Sequence, residues 1–274
     1  MRLSVVTFLR PGNEPPGKSL SRIADYARRI EAAGFPGIWV TDSLGRGWPT
    51  LDPLVALGAL AAATKRLELG TAVLQVPLRH PIELAHRIQS VQALSGGRLR
   101  LGVGSGSTEA DFKLLDRDYE ARFRTLMSSL DTMRRAWKGE PVNGGVLTPW
   151  PGTEGGPPVL LGAWRNPRWI AYAAQQCRGW IASGLYSSWD DLENGMRLYR
   201  AAGGTNAVLA NVIVDLNNRP EPGSLAARAQ ISLVAQLPEA RQRLKRIEQI
   251  GFDEVLLVSP GGALDELERV RDFL

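Results

Sequence analysis

The sequence predicts a (β/α)8 barrel, and three observations carry that reading. Short apolar runs alternate eight times with longer amphipathic segments across 274 residues, the order of elements that builds a parallel sheet with helices between its strands. The clearest unit lies between Arg66 and Gly106: Leu67, Leu69, Thr71 and Val73 alternate into Val76, His80-Pro81 opens an amphipathic run to Leu94, and Ser95-Gly96-Gly97 turns the chain into Leu99 to Val103. Both strands of this βαβ unit exit into small residues, Ala72-Val73 and Gly104-Ser105-Gly106. Barrels of this class bind their ligands at the carboxyl ends of the strands.

The remaining elements follow in order. Strand one is Leu3 to Phe8, then a Pro/Gly loop from Pro11 to Gly17 leads to a helix capped by Ser19 and stopped by Gly34. Strand two, Gly37 to Thr41, ends at Asp42, and Asp52-Pro53 opens a helix through Ala63, with Asp as cap and Pro at the first helical position. After Val103 a polar loop reaches Asp118, a helix covers Tyr119 to Trp137, and a Gly/Pro-rich excursion fills Gly139 to Pro158. Strand Val159 to Gly162, a helix opened by Asn166-Pro167, a short strand at Trp180 to Ala182 and a helix from Trp189 to Ala202 come next. Strands Val208 to Val214 and Glu254 to Val258 flank a helix from Pro238 to Ile250, and a helix from Leu264 closes the chain. Asn217 to Gln236 reads as a lid, an extra helix or a loop. The whole, residues 1–274, reads as one barrel domain with insertions.

Composition narrows the function. The 33 basic and 28 acidic residues give a net charge of +5, but the cations are scattered over helix faces instead of forming a run, so nucleic acid is not an expected partner. No apolar run approaches the ~18 residues of a membrane span, and the N-terminus passes directly into LSVVTFL, so a cytoplasmic protein without a membrane partner is expected. The single Cys177 allows no internal disulfide. The two histidines, His80 and His86, and the nearby carboxylates lack metal-ligand spacing, so no metal is expected.

Taken alone, Gly102 to Gly106 is a weak dinucleotide-like string. Leu161 to Trp164 running into Asn166-Pro167 offers backbone N–H groups and a helix N-terminus to a phosphate. Trp48, Trp150 and Trp164 fall in loops at the expected mouth, whereas Trp39 and Trp137 sit in amphipathic elements as core.

These segments, in their order, resemble the bacterial luciferase-like flavin monooxygenases over nearly the whole chain. The resemblance is carried by EAAGFPGIWVTD, AAATKRLELGTAVL, PLRHPIELA, LSGGRLRLGVGSG, Arg122, Trp137, PPVLLGAW and RGWIASG. It implies a homodimeric luciferase-like TIM barrel that holds reduced FMN or, in a large branch, coenzyme F420 above the strand ends. It also implies a non-prolyl cis peptide at Ala72-Val73 whose bulge meets one face of the ring. Ser105 and Gly106 would contact the ring and its tail, and Gly162, Ala163, Trp164, Ser183 and Gly184 the phosphate, with Arg165 and Arg168 as auxiliary cations. The family commonly has a second glycine where Ala163 stands.

The largest departure is Ser43. Many members carry a catalytic histidine directly after the aspartate that is Asp42 here, and serine cannot replace imidazole in proton transfer near neutral pH. Asp42, Ser43 and His80 are the catalytic candidates, and Phe8, Trp48 and Glu109 the candidates for substrate contact. Ser107, where the F420 branch is often acidic, favours FMN. The expected function is an FMN-dependent monooxygenase acting on a small organic substrate, with a flavin reductase as a partner that supplies reduced flavin. The alternatives are an F420-dependent dehydrogenase and a noncatalytic flavin-binding barrel.

Overall fold

The apolar runs form strands β1 (Arg2–Thr7), β2 (Gly37–Val40), β3 (Glu68–Thr71), β4 (Leu74–Gln75), β5 (Leu99–Gly104), β6 (Val159–Gly162), β7 (Gly179–Ser183), β8 (Ala207–Asp215), β9 (Ser232–Val234) and β10 (Glu254–Val258). Between them lie α1 (Lys18–Ala32), α2 (Pro53–Ala63), α3 (Pro81–Leu94), α4 (Glu109–Leu114), α5 (Arg122–Trp137), α6 (Pro167–Gln176), α7 (Trp189–Ala201), α8 (Leu225–Arg228), α9 (Leu237–Ile250) and α10 (Leu264–Arg271). The fold is a (β/α)8 barrel. This is a computed structural model, and it describes residues 1–7, 18–44, 47, 49–217, 220–260 and 262–273. Phe8 and Trp48 lie outside the described residues.

The residues group into two compact units. The first contains 1–7, 30–39 and 159–274. In it β10 pairs in parallel with both β1 and β8, and β6, β7, β8 and β9 pair in parallel in succession. Its strands are buried along almost their whole length, as in Val5, Ile181, Leu209, Val212 and Leu257, which is why they read as continuous apolar runs instead of alternating ones. β8 carries a bulge: Val255 pairs with Leu209 but Leu257 with Val212, and Asn211 absorbs the extra residue at φ 61°. Asn is among the few side chains that tolerate this left-handed geometry.

The second unit contains 8–29 and 40–158. β3 and β4 both pair in parallel with β5, Leu69 opposite Leu99 and Gln75 opposite Gly104. The core under them is Leu57, Leu60, Leu74, Ile88, Leu101, Leu130 and Trp137, and the Trp137 indole donates to the Ala85 carbonyl (3.1 Å). α2 begins as its sequence dictates: the Asp52 carboxylate accepts from the Leu54 and Val55 amides (2.9 and 3.1 Å), and Pro53 occupies the first turn.

Four expectations change. The third expected strand is interrupted after Thr71, where the Ala72-Val73 peptide is cis, resumes as β4, and ends in a 3-10 turn over Val76–Leu78. α1 starts at Lys18, one residue before the expected cap Ser19. α5 starts at Arg122, because the Asp118 carboxylate engages the Ala121 amide (3.1 Å) and holds the preceding residues in a turn. The polar loop after β5 contains α4, whereas in Asn217 to Gln236 the reading of an extra helix holds, as α8, with β9 after it.

Candidate active site

In the second unit the exits of β2, β4 and β5 are joined by buried polar groups. Asp42, 8% exposed, follows β2. Its carboxylate receives two hydrogen bonds from the Arg79 guanidinium, at 2.6 Å to Oδ2 and 3.1 Å to Oδ1, and one from the Gln75 amide at 2.8 Å. Arg79 also reaches Asp52 (3.4 Å). Burial lowers the Arg79 pKa, but the hydrogen bonds and charges of Asp42 and Asp52 outweigh it, so the guanidinium is held above its ordinary value. Both oxygens of Asp42 are thus engaged by one guanidinium, which ties the loop after β2 to Arg79.

The rim beside this network lacks side chains where backbone geometry requires it. A Cβ on Gly104 would lie 2.6 Å from Cγ2 of Val73. Gly106 has φ +82°, and a Cβ there would meet the Phe112 ring at 2.7 Å and the Gln75 Oε1 at 2.8 Å. Ala72 is buried, while Val73 and Ser105 are partly exposed. Phe112, itself buried, packs edge-on to Tyr119 (5.2 Å), over which the Arg122 guanidinium sits at 3.8 Å.

The other candidates are looser. The Ser43 carbonyl accepts from the Thr50 hydroxyl (2.5 Å). His80 is exposed at the N-cap of α3 and makes no capping hydrogen bond with its side chain. Glu109 is exposed and paired with Lys113 (3.0 Å). Trp150 packs edge-on to His86 on α3 (5.8 Å), a helix-face contact instead of the expected place at the mouth.

The first unit supplies the expected phosphate residues. Ser183, 4% exposed, and Ser187, fully buried, have hydroxyls with no hydrogen-bond partner. The Gly184 and Ala163 amides donate within the sheet, to Ala210 (2.8 Å) and Ile181 (3.0 Å). A Cβ on Gly184 would lie 2.9 Å from the Ile231 carbonyl. Ala163 is not among the residues at positive φ, so the family's second glycine is not required here. The start of α6 is closed by its own cap: Asn166 accepts from the amides of Arg168 (3.0 Å), Trp169 (3.1 Å) and Ile170 (3.1 Å). The backbone N–H groups of Gly184, Ala163 and the first turn of α6 are therefore already engaged, whereas the Ser183 hydroxyl is not. Trp164 stacks on Tyr186, with ring centroids 4.4 Å apart and both rings partly exposed. Nearby, Arg165, Leu185, Tyr186 and Arg228 border a cleft of about 630 Å³.

Among the described residues no cluster of three or more His, Cys, Asp or Glu could hold a metal, and no helix is long and apolar enough to cross a membrane. In the second unit the side-chain-poor positions and the orphaned acceptor on Gln75 suit a flat ligand with a hydrogen-bond donor at its edge; in the first unit the orphaned Ser183 hydroxyl suits a polar group such as a phosphate. Gln75, Arg79, Ser187 and Asn211 were not singled out from sequence. The visible signal was a glutamine and an arginine in an otherwise apolar strand exit.

Residues 1–216 match the family model of luciferase-like monooxygenases, and the chain belongs to that family. It is 36% identical over 154 residues to 4-hydroxyprotoasukamycin monooxygenase of Streptomyces nodosus subsp. asukaensis, covering 54% of this chain and 41% of that protein. It is 32% identical over 129 residues to an F420-dependent glucose-6-phosphate dehydrogenase of Amycolatopsis mediterranei, covering 44% of this chain and 39% of that protein. The chain thus aligns with less than half the length of each of these two relatives. In fold it is similar to a monooxygenase from Streptomyces bottropensis (TM-score 0.81, 18% identity, 100% of this chain and 96% of that one).

Proposed function

We propose that this protein is a flavin-dependent oxidoreductase, an FMN-dependent monooxygenase acting on a small organic substrate with oxygen and reduced flavin from a separate reductase. The observation that carries the reading is the rim of β4 and β5. There Val73, Phe112 and Gln75 fill the space that side chains on Gly104 and Gly106 would need, which leaves these two positions as bare backbone. Family membership and the monooxygenase relative support it.

Bound flavin supplies the redox chemistry. Val73, Ser105 and Gly106, with Ala72 beside them, would hold a ring, and the Ser183 hydroxyl, Gly162, Trp164 and the exposed Arg165 and Arg168 of the other unit would serve a phosphate. The Asp42–Arg79 pair fixes the β2 exit against β4. Ser43 can donate a hydrogen bond but cannot act as an acid or base near neutral pH, so the reaction must proceed without an imidazole at this position.

A second reading, F420-dependent hydride transfer, is favoured by the dehydrogenase relative. It is disfavoured by Ser107, which stands where that branch is often acidic; Ser43 departs from both branches alike. Oxygen consumption coupled to a flavin reductase and FMN, over a panel of carbonyl and aromatic substrates, tests the first reading. Turnover with F420 and none with FMN would replace it with the second. Ser183→Val should weaken FMN binding about tenfold while leaving riboflavin binding unchanged; equal losses for both would remove Ser183 from the phosphate.

A further inference from the structure

We infer that the side-chain carbonyl of Gln75 accepts a hydrogen bond from the N3–H of the bound heterocycle, an inference that rests on the reading above that a flavin-type ring binds here. Gln75 is 3% exposed, and all its other polar groups are engaged. Its main-chain amide donates to Asp42 Oδ2 (2.8 Å), and its main-chain carbonyl accepts from Arg79 (3.3 Å). Its side-chain Nε2 donates to the Asp42 carbonyl and to the Asp111 carboxylate, both at 3.1 Å.

Those last two partners are acceptors, so they decide which end of the amide is nitrogen and lock the group in one orientation. Oε1 is left as a buried acceptor with no partner among the described residues. Buried polar groups in folded chains are nearly always paired, so such an exception calls for a ligand or a water. The oxygen lies 2.8 Å from where a Cβ on Gly106 would stand, and the Phe112 ring edge borders the same spot.

An acceptor that cannot become a donor selects the ligand's chemistry. The oxidised isoalloxazine carries a single ring N–H, at N3, flanked by two carbonyls, and the deazaflavin keeps the same group. The assignment therefore applies to either cofactor, and Gln75 reads the pyrimidinedione edge.

Equilibrium titration with oxidised FMN and with 3-methyl-FMN tests it in the wild type, Gln75→Ala and Gln75→Leu. The wild type should bind FMN about tenfold or more tighter than its methylated analogue, the cost of leaving a buried acceptor unpaired. That preference should disappear in both variants. Variants that weaken both ligands equally while keeping the wild-type preference would show a merely structural role and overturn the inference. Equal affinities in the wild type would overturn it even if neither variant folded. A wild type that binds no FMN or F420 in any redox state would instead remove the underlying reading, and this inference with it.

Discussion

The Val73 side chain occupies the space a side chain on Gly104 would need: Cγ2 lies 2.6 Å from the position of a Cβ there. The two residues belong to adjacent exits, since Leu74 pairs with Val103 and Gln75 with Gly104. Valine is stiff about χ1, so it cannot turn away cheaply. The glycine therefore answers to a neighbour in the fold, and the rim that remains is available to a ligand.

Gly104→Ala should destabilise the protein by about 1–3 kcal/mol through overpacking. Val73→Ala in the same chain should restore most of the loss, because the two effects share one contact. Chemical denaturation of the two single variants and the double variant checks this; strictly additive losses would mean the pair is not coupled.

Arg79→Met removes the cation that holds the Asp42 carboxylate, whose side chain is only 4% exposed. Breaking a buried pair from one side costs about 3–5 kcal/mol, whereas replacing both partners costs much less. Arg79→Met should thus lower the urea midpoint sharply, and Arg79→Met with Asp42→Asn should recover much of it. An unchanged midpoint in the single variant would show that the pair does not organise the exit.

Glu266 gives a pH dependence unrelated to the site. Burial raises its pKa, helped by the charges of Asp215 and Asp265 and opposed by a hydrogen bond from the Leu216 amide. The folded chain holds this proton more tightly than the unfolded one. The associated stability is full below the ordinary carboxylate value and is lost as the pH rises through the raised one. Glu266→Gln should remove that decline, measured as melting temperature across the acidic range; identical pH profiles would contradict the assignment.

Much of the architecture was legible in the chain. Asp52-Pro53 and Asn166-Pro167 announce α2 and α6 because cap and proline act locally. Gly106 was singled out only through the family resemblance, because a glycine just past a strand serves a turn equally well. What the sequence hid depends on partners far away in the chain. Asp42 reads as a catalytic or capping acid until Arg79, 37 residues on, is seen to engage both its oxygens. Gln75 reads as one polar residue in an apolar run until Asp42 and Asp111 fix its amide. The sheet partners of the Gly184 and Ala163 amides were hidden for a similar reason: Ala210 and Ile181 are supplied only by strand register.

The central claim is that the bare rim at Gly106 holds a flavin ring, and the most direct test is an anaerobic titration with FMN, oxidised and reduced, of the wild type and Gly106→Val. The wild type should show saturable binding, and the variant none, with a circular dichroism spectrum that still reports a folded barrel. Saturable binding of equal strength in both, or none in the wild type, would contradict the account.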